Sequence, residues 1–205
     1  MKPRNIILLL VVAVVIVTVL YTVYGSKDQT TYITQIKKER EEKDRFMRTS
    51  SESPFTDNVQ GFTGLNYYPP DLKYKITASL IPVENKKQVV LTTNDGKEER
   101  YMEYAYAEFD FSGFRNRLLI LEMIAMGPSR GKLFLAFGDA TSADETYGAG
   151  RYLDVVKTPG ASTITLDFNK AYNPYCAYIE KFSCPLPPPE NLLTIPIQAG
   201  EKSYH

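Results

Sequence analysis

The chain has 205 residues, with 24 Lys plus Arg balanced by 24 Asp plus Glu, so it carries no formal net charge at pH 7. That balance supplies no field to draw a polyanion, and nucleic acid is excluded as the expected partner. The one histidine is His205, the last residue, which argues against serine triads, His-ligated zinc and His-assisted cysteine nucleophiles.

Lys2 and Arg4 precede an uncharged run from Ile6 to Tyr24, IILLLVVAVVIVTVLYTVY. As a helix rising 1.5 Å per residue it spans roughly 28 Å, close to the hydrocarbon thickness of a bilayer. The exit, Val23-Tyr24-Gly25-Ser26, is a poor signal-cleavage site, so residues 1–27 are expected to form an uncleaved transmembrane signal-anchor. The basic start favours a cytoplasmic N-terminus and places the remainder on the extracytoplasmic side. Residues 28–50 read as a charged stalk helix, capped by Asp28 or Thr30, with Phe46 and Met47 docking its far end. Opposite charges recur four apart in it, as in Lys38 with Glu42, Glu39 with Lys43 and Arg40 with Asp44, the spacing of neighbours on a helix face.

Residues 51–205 form the expected β domain. Pro54, Pro69 and Pro70 make its start loop-like. Strands are predicted at Tyr74–Leu80, Val89–Thr93, Glu98–Phe111, Arg117–Met126, Lys132–Phe137, Arg151–Val155, Ser162–Asp167 and Leu192–Gln198, with a tight hairpin turn at Asn94-Asp95-Gly96. In the third, Ala105, Ala107, Phe109 and Phe111 share one face. About seven or eight strands with short turns and no further helix point to an antiparallel sandwich or partly closed barrel. Tyr at 15 and Phe at 10, with no Trp, suit strands with aromatic faces.

Two blocks, FLAFGDATSADETYGAGRYLD and DFNKAYNPYCAYIEKFSCPLPPPEN, concentrate directed polar groups. Asp139, Thr141, Glu145, Tyr147, Arg151, Asp167, Asn169 and Asn173 are the candidate ligand-binding residues. Gly148-Ala149-Gly150-Arg151 lacks the third glycine and following helix of a dinucleotide loop and reads as a turn entering a strand. Arg151 is either a buried ion-paired group, with Asp154 or Asp139, or a clamp for a ligand carboxylate or phosphate. Asp139, Thr141 and Glu145 match a calcium loop poorly, and no metal or cofactor is expected. A carboxylate pair drawn from Asp139, Glu145, Asp154, Asp167 and Glu190 is the requirement for glycosidase-like hydrolysis. Asn169, Asn173 and Asn191 read singly as loop-holding groups, and together with Tyr147, Tyr152, Tyr172 and Tyr175 equally as the lining of a polar pocket. Cys176 and Cys184, eight apart, are expected to form a disulfide on the oxidising side of a membrane, and the prolines from Pro185 to Pro189 form a rigid wall.

Together with FTGLNYYPPD and the terminal AGEK, the two blocks resemble domain-of-unknown-function family 1684 of bacterial and archaeal proteins, over roughly Glu39 to Tyr204. The resemblance implies one shared domain and brings no catalytic residue. The expected function is a membrane-anchored, extracytoplasmic domain binding a small polar or anionic ligand, with Arg151 as anion contact. The alternatives are a carboxylate-dependent hydrolase and a structural or interaction module of the cell envelope.

Overall fold

The computed structural model describes residues 28–57, 59–156 and 158–205. Among these no helix is long and apolar enough to cross a membrane, and the anchor expected at Ile6–Tyr24 lies outside them. Helix α1 occupies residues 28–49. Eight strands follow: β1 Lys75–Pro82, β2 Gln88–Thr92, β3 Glu98–Phe111, β4 Phe114–Met123, β5 Leu133–Phe134, β6 Ala136–Phe137, β7 Arg151–Tyr152 and β8 Thr163–Asp167. Past α1, the helical segments described are 3-10 turns.

The long strand β3 organises the sheet. Along one edge it pairs antiparallel with β4, from Tyr101 opposite Met123 to Phe111 opposite Phe114. Its other edge is shared by β2 and β1. Ser112 and Gly113 both take positive φ, 54° and 81°, and make the two-residue turn that ends β3 and returns the chain as β4. The order β5-β4-β3-β1-β8, with β2 also on β3, is an open path. The fold is mainly antiparallel β, and among the described residues the sheet does not close into a barrel.

Two expected strands come out differently. The run 132–137 splits at Leu135. Its first half stays on β4 as β5, and its second leaves to pair with β7 as β6. Residues 192–198 form no ladder. Their described bridge is Leu192 with Gly138: the Leu193 amide donates to the Gly138 carbonyl and the Ala140 amide to the Ile195 carbonyl, while side chains of Asp139 and Arg151 hold Ile197.

Strand β4 is buried on both faces, which accounts for its unbroken Leu118-Leu119-Ile120-Leu121 run. Leu118 and Ile120 enter a main core with Ala107, Phe109, Phe137, Leu166 and Phe168. Leu119 and Leu121 enter a second with Leu91, Tyr101, Phe134 and Ala136. At the edge of β4 left open beyond β5, Asn191 stands in for a strand. Its Oδ1 accepts from the Leu119 amide at 2.6 Å, and its Nδ2 donates to the carbonyls of Leu119 at 2.9 Å and Ala136 at 2.8 Å.

Helix α1 lies on the domain instead of standing free as a stalk. Ile36 and Met47 are buried, and Met47 packs with Phe55, Phe62 and Tyr178. Several charges expected to pair within the helix reach the domain. Glu39 binds Lys170 at 2.8 Å, Lys43 binds Glu201 at 2.7 Å, and Arg40 donates to the carbonyls of Tyr68 and Asn169. Lys38 and Glu42 do pair within the helix, at 3.8 Å.

Asn191 generates a direct test. Asn191→Leu keeps the volume but strips partners from a buried amide and two carbonyls, each worth about 1–3 kcal/mol when left unsatisfied. Urea unfolding is expected to show a loss of about 3 kcal/mol or more. A loss below about 1 kcal/mol would mean that the side chain does not complete the sheet.

Candidate functional site

Arg151, on β7, is 1% exposed and faces inward among chain segments rather than toward a ligand. Its guanidinium pairs with Asp139 at 2.8 Å and donates to the carbonyls of Ile197 at 2.9 Å, Glu201 at 3.0 Å and Ala199. Asp139 in turn accepts from the Thr141 amide and hydroxyl and from the Ile197 amide, at 2.9, 2.7 and 3.1 Å. The expected anion contact is therefore corrected: three carbonyls and a carboxylate occupy the fork, leaving an external anion no access. Of the two partners weighed for Arg151, Asp139 is the one used. Gly150, with φ 88°, lies where an added Cβ would sit 2.5 Å from Pro187 and 2.7 Å from the Phe137 carbonyl. The glycine serves a close turn.

The remaining candidate residues fall into separate structural roles. Asp167 accepts from the Tyr32 hydroxyl of α1 at 2.6 Å. Asn169 holds Asp71 through both its amide and carbonyl, at 2.9 and 2.8 Å. Asn173 donates its backbone amide to the Glu201 carboxylate and its side-chain amide to the Lys202 carbonyl. Thr141 shares its hydroxyl with Thr146 at 3.0 Å. Glu145 accepts from Gln198 at 3.1 Å, and that hydrogen bond lowers its pKa against the small opposing effect of burial. The most connected residue that sequence reasoning passed over is Glu201. It is 1% exposed and binds Lys43, Tyr178 and the Asn173 amide. Its signal was the preceding Gly200, whose φ of 76° lets the chain pass the Ala171 carbonyl.

Among the concavities of the described residues, one groove of about 390 Å³ lies on the second core, and three of its rings, Tyr152, Tyr172 and Tyr175, are ones the sequence offered as pocket-lining. Aromatic rings make its walls, drawn from β3, β5, β7 and the loop that follows β8. Tyr101 stacks on Phe134 with centroids 4.9 Å apart, Phe134 meets Tyr152 edge-on at 4.9 Å, and Tyr152 meets Tyr172 edge-on at 5.9 Å. Tyr175 and Phe182 close the far side at 5.4 Å. The hydroxyls of Tyr101 and Tyr172 donate to Glu99 at 2.7 Å and Asp154 at 2.9 Å, which places both carboxylates in the lining. Burial and the adjacent charge of Asp154 push the Tyr172 phenol up, and burial with the Glu99 hydrogen bond does the same for Tyr101, so both hold their protons at neutral pH. Of the eight candidate residues predicted from sequence, none lines this groove.

Cys176 and Cys184 are both free and buried, which corrects the expected disulfide. The 3-10 turn Tyr175–Ala177 brings them together, and the Cys176 amide donates to the Cys184 sulfur at 3.3 Å. A thiol hydrogen bond takes the place of the covalent bridge. The Cys184 thiol donating to Cys176, helped by the Tyr147 hydroxyl, brings Cys176 down to about 7, while the same sharing pushes Cys184 up. Tyr147, one of the predicted site residues, thus stands beside Cys176, at 3.8 Å from its sulfur.

These features define a single open-sheet β domain clasped by a helix, with its polar blocks turned inward and an aromatic groove outside. The chain belongs to the family described as Protein of unknown function (DUF1684), whose pattern matches residues 60–202. It is similar to an uncharacterised protein of Haloarcula marismortui known from a solution NMR structure. The two are 37% identical over 87% of this chain and 99% of that one, with a TM-score of 0.66. No curated protein matches.

The cysteine pair gives the prediction here. The thiolate is the reactive form, so alkylation of Cys176 in the folded chain by iodoacetamide is expected to rise with pH through a midpoint near 7. In Cys184→Ala, which removes the donor, the midpoint moves up toward an ordinary thiol. A midpoint unchanged by that substitution would contradict the shared-proton arrangement.

Proposed function

We propose that this chain is a membrane-tethered, extracytoplasmic binding domain whose small ligand sits in the aromatic groove. The tether rests on the apolar run Ile6–Tyr24 behind Lys2 and Arg4. The observation that carries the binding reading is the groove itself, a concave apolar surface with a few convergent polar groups, the usual make-up of a small-molecule site. Its hydroxyls and carboxylates are held in place by hydrogen bonds among themselves, so they are oriented before a ligand arrives.

The hydrolase reading loses support from the same geometry. Asp139 is committed to Arg151, Asp167 to Tyr32 and Asn169, Glu145 to Gln198 and Asp154 to Tyr172. The Gln198 hydrogen bond lowers the Glu145 pKa, the opposite of the rise that keeps a carboxyl protonated for acid catalysis. The Arg151 cluster serves the fold, which moves the ligand from the polar blocks to the groove beside them.

A thermal-shift screen of the full chain in maltoside detergent, against organic cations, organic acids, sugars and nucleotides, tests this reading. A ligand at a hundred times its dissociation constant stabilises by about 2.7 kcal/mol. The expected result is a shift in the wild type that disappears in Phe182→Ala, which opens the groove wall. An equal shift in both proteins would place the ligand elsewhere. If no compound produces a shift, the interaction-module reading takes precedence.

A further inference from the structure

Resting on the groove as the binding site, we infer that its ligand is a free organic cation of the quaternary ammonium class. Three observations converge. First, the rings are set as a box: Phe134 and Tyr152 cross at 74°, and Tyr152 and Tyr172 at 85°. Walls at near right angles present more than one aromatic surface to a single bulky head group, and the negative face of each ring attracts a cation.

Second, the lining contains two carboxylates, Glu99 and Asp154, and no Lys, Arg or His. A cation entering the groove meets complementary charge in the lining itself. Third, the protein's own cations lie over several aromatic rings elsewhere in the fold. Arg40 lies over Tyr67, Arg48 over Phe62, Lys86 over Tyr104 and Arg117 over Tyr106, at 4.4, 4.7, 5.0 and 3.3 Å. Among the described residues, no cation is placed over Tyr101, Phe134, Tyr152 or Tyr175. The nearest intruders serve other partners: Lys43 lies over Tyr172 but is paired with Glu201, and Lys181 lies over Phe182 but is paired with Asp57.

The chemistry also sets the specificity. A quaternary ammonium donates no hydrogen bond, and the Tyr101 and Tyr172 hydroxyls already spend their protons on Glu99 and Asp154, so the groove offers the cation ring faces and negative charge. A zwitterion that carries phosphate or carboxylate beside its ammonium would bring its anion against Glu99 or Asp154 with no Lys or Arg in the lining to receive it. The site therefore fits a free cation rather than a phosphocholine lipid headgroup.

The test follows the tyrosine and phenylalanine ring resonances of the full chain in maltoside by NMR. The probes are choline, its neutral carbon isostere 3,3-dimethyl-1-butanol, and phosphocholine. Choline is expected to shift the groove rings saturably, with the other two binding at least about tenfold more weakly. Glu99→Gln and Asp154→Asn keep an amide oxygen to accept the tyrosine hydrogen bonds. Combined, they should weaken choline by about tenfold or more while the remaining spectrum stays that of the folded chain. Equal binding of the isostere, preference for phosphocholine, or an affinity for choline indifferent to the two substitutions would overturn the cation assignment. In those cases the rings still shift, so the groove reading survives. Absence of a saturable ring shift with all three probes overturns the cation assignment too, and a ligand from the thermal screen that moves the same rings would show the groove to be a site for other chemistry.

Discussion

The contact on which the rest of this structure depends is the Arg151 fork. One guanidinium, held by Asp139, gathers the carbonyls of Ile197, Ala199 and Glu201. A segment that forms no strand ladder is thereby fixed to β7 by a side chain. A buried ion pair of this kind is weak evidence of net stabilisation, because desolvating both charges offsets much of their attraction. Its effect is on specificity. With the carbonyls of 197–201 in place, the Glu201 side chain points at Lys43, Tyr178 and the Asn173 amide, and the helix that leads from the expected membrane anchor acquires a seat on the domain.

That seat changes the meaning of the helix charges. Glu39, Arg40 and Lys43 spend their charge across the helix–domain boundary, where partial burial makes them worth more than exposed pairs on an isolated helix. The domain is thus held close to the start of its helix, and the aromatic groove, which adjoins the seat through Asp154, Tyr172 and Tyr175, takes a fixed position relative to it. The rings shared by groove and seat give the two regions a common wall.

The strands were legible because their signals are local. Alternation in β3 places Ala105, Ala107 and Phe109 inside, and Asn94-Asp95-Gly96 turns where glycine supplies φ 80°. The split at Leu135 was hidden because a buried apolar run reads alike whether it serves one sheet or two. Polar residues such as Asp139, Arg151 and Asn169 stood out as unusual, yet residue type does not tell whether a guanidinium meets a ligand or three backbone carbonyls. The groove was legible only in part. Tyr152, Tyr172 and Tyr175 stood out beside the asparagines, whereas Tyr101, Phe134 and Phe182 are individually ordinary strand and loop aromatics, and their convergence depends on the pairing of β3 with β4, of β4 with β5, and of β6 with β7.

Native-state hydrogen exchange on Arg151→Met tests whether Arg151 acts on the helix through residues 197–201. Exchange is expected to quicken at residues 139–146 and 197–203 and in the part of α1 around Lys43 and Met47. The part of α1 near Tyr32, tied independently to Asp167, should keep more of its protection. Loss confined to residues 139–151, with 197–203 and α1 unchanged, would contradict that role for Arg151.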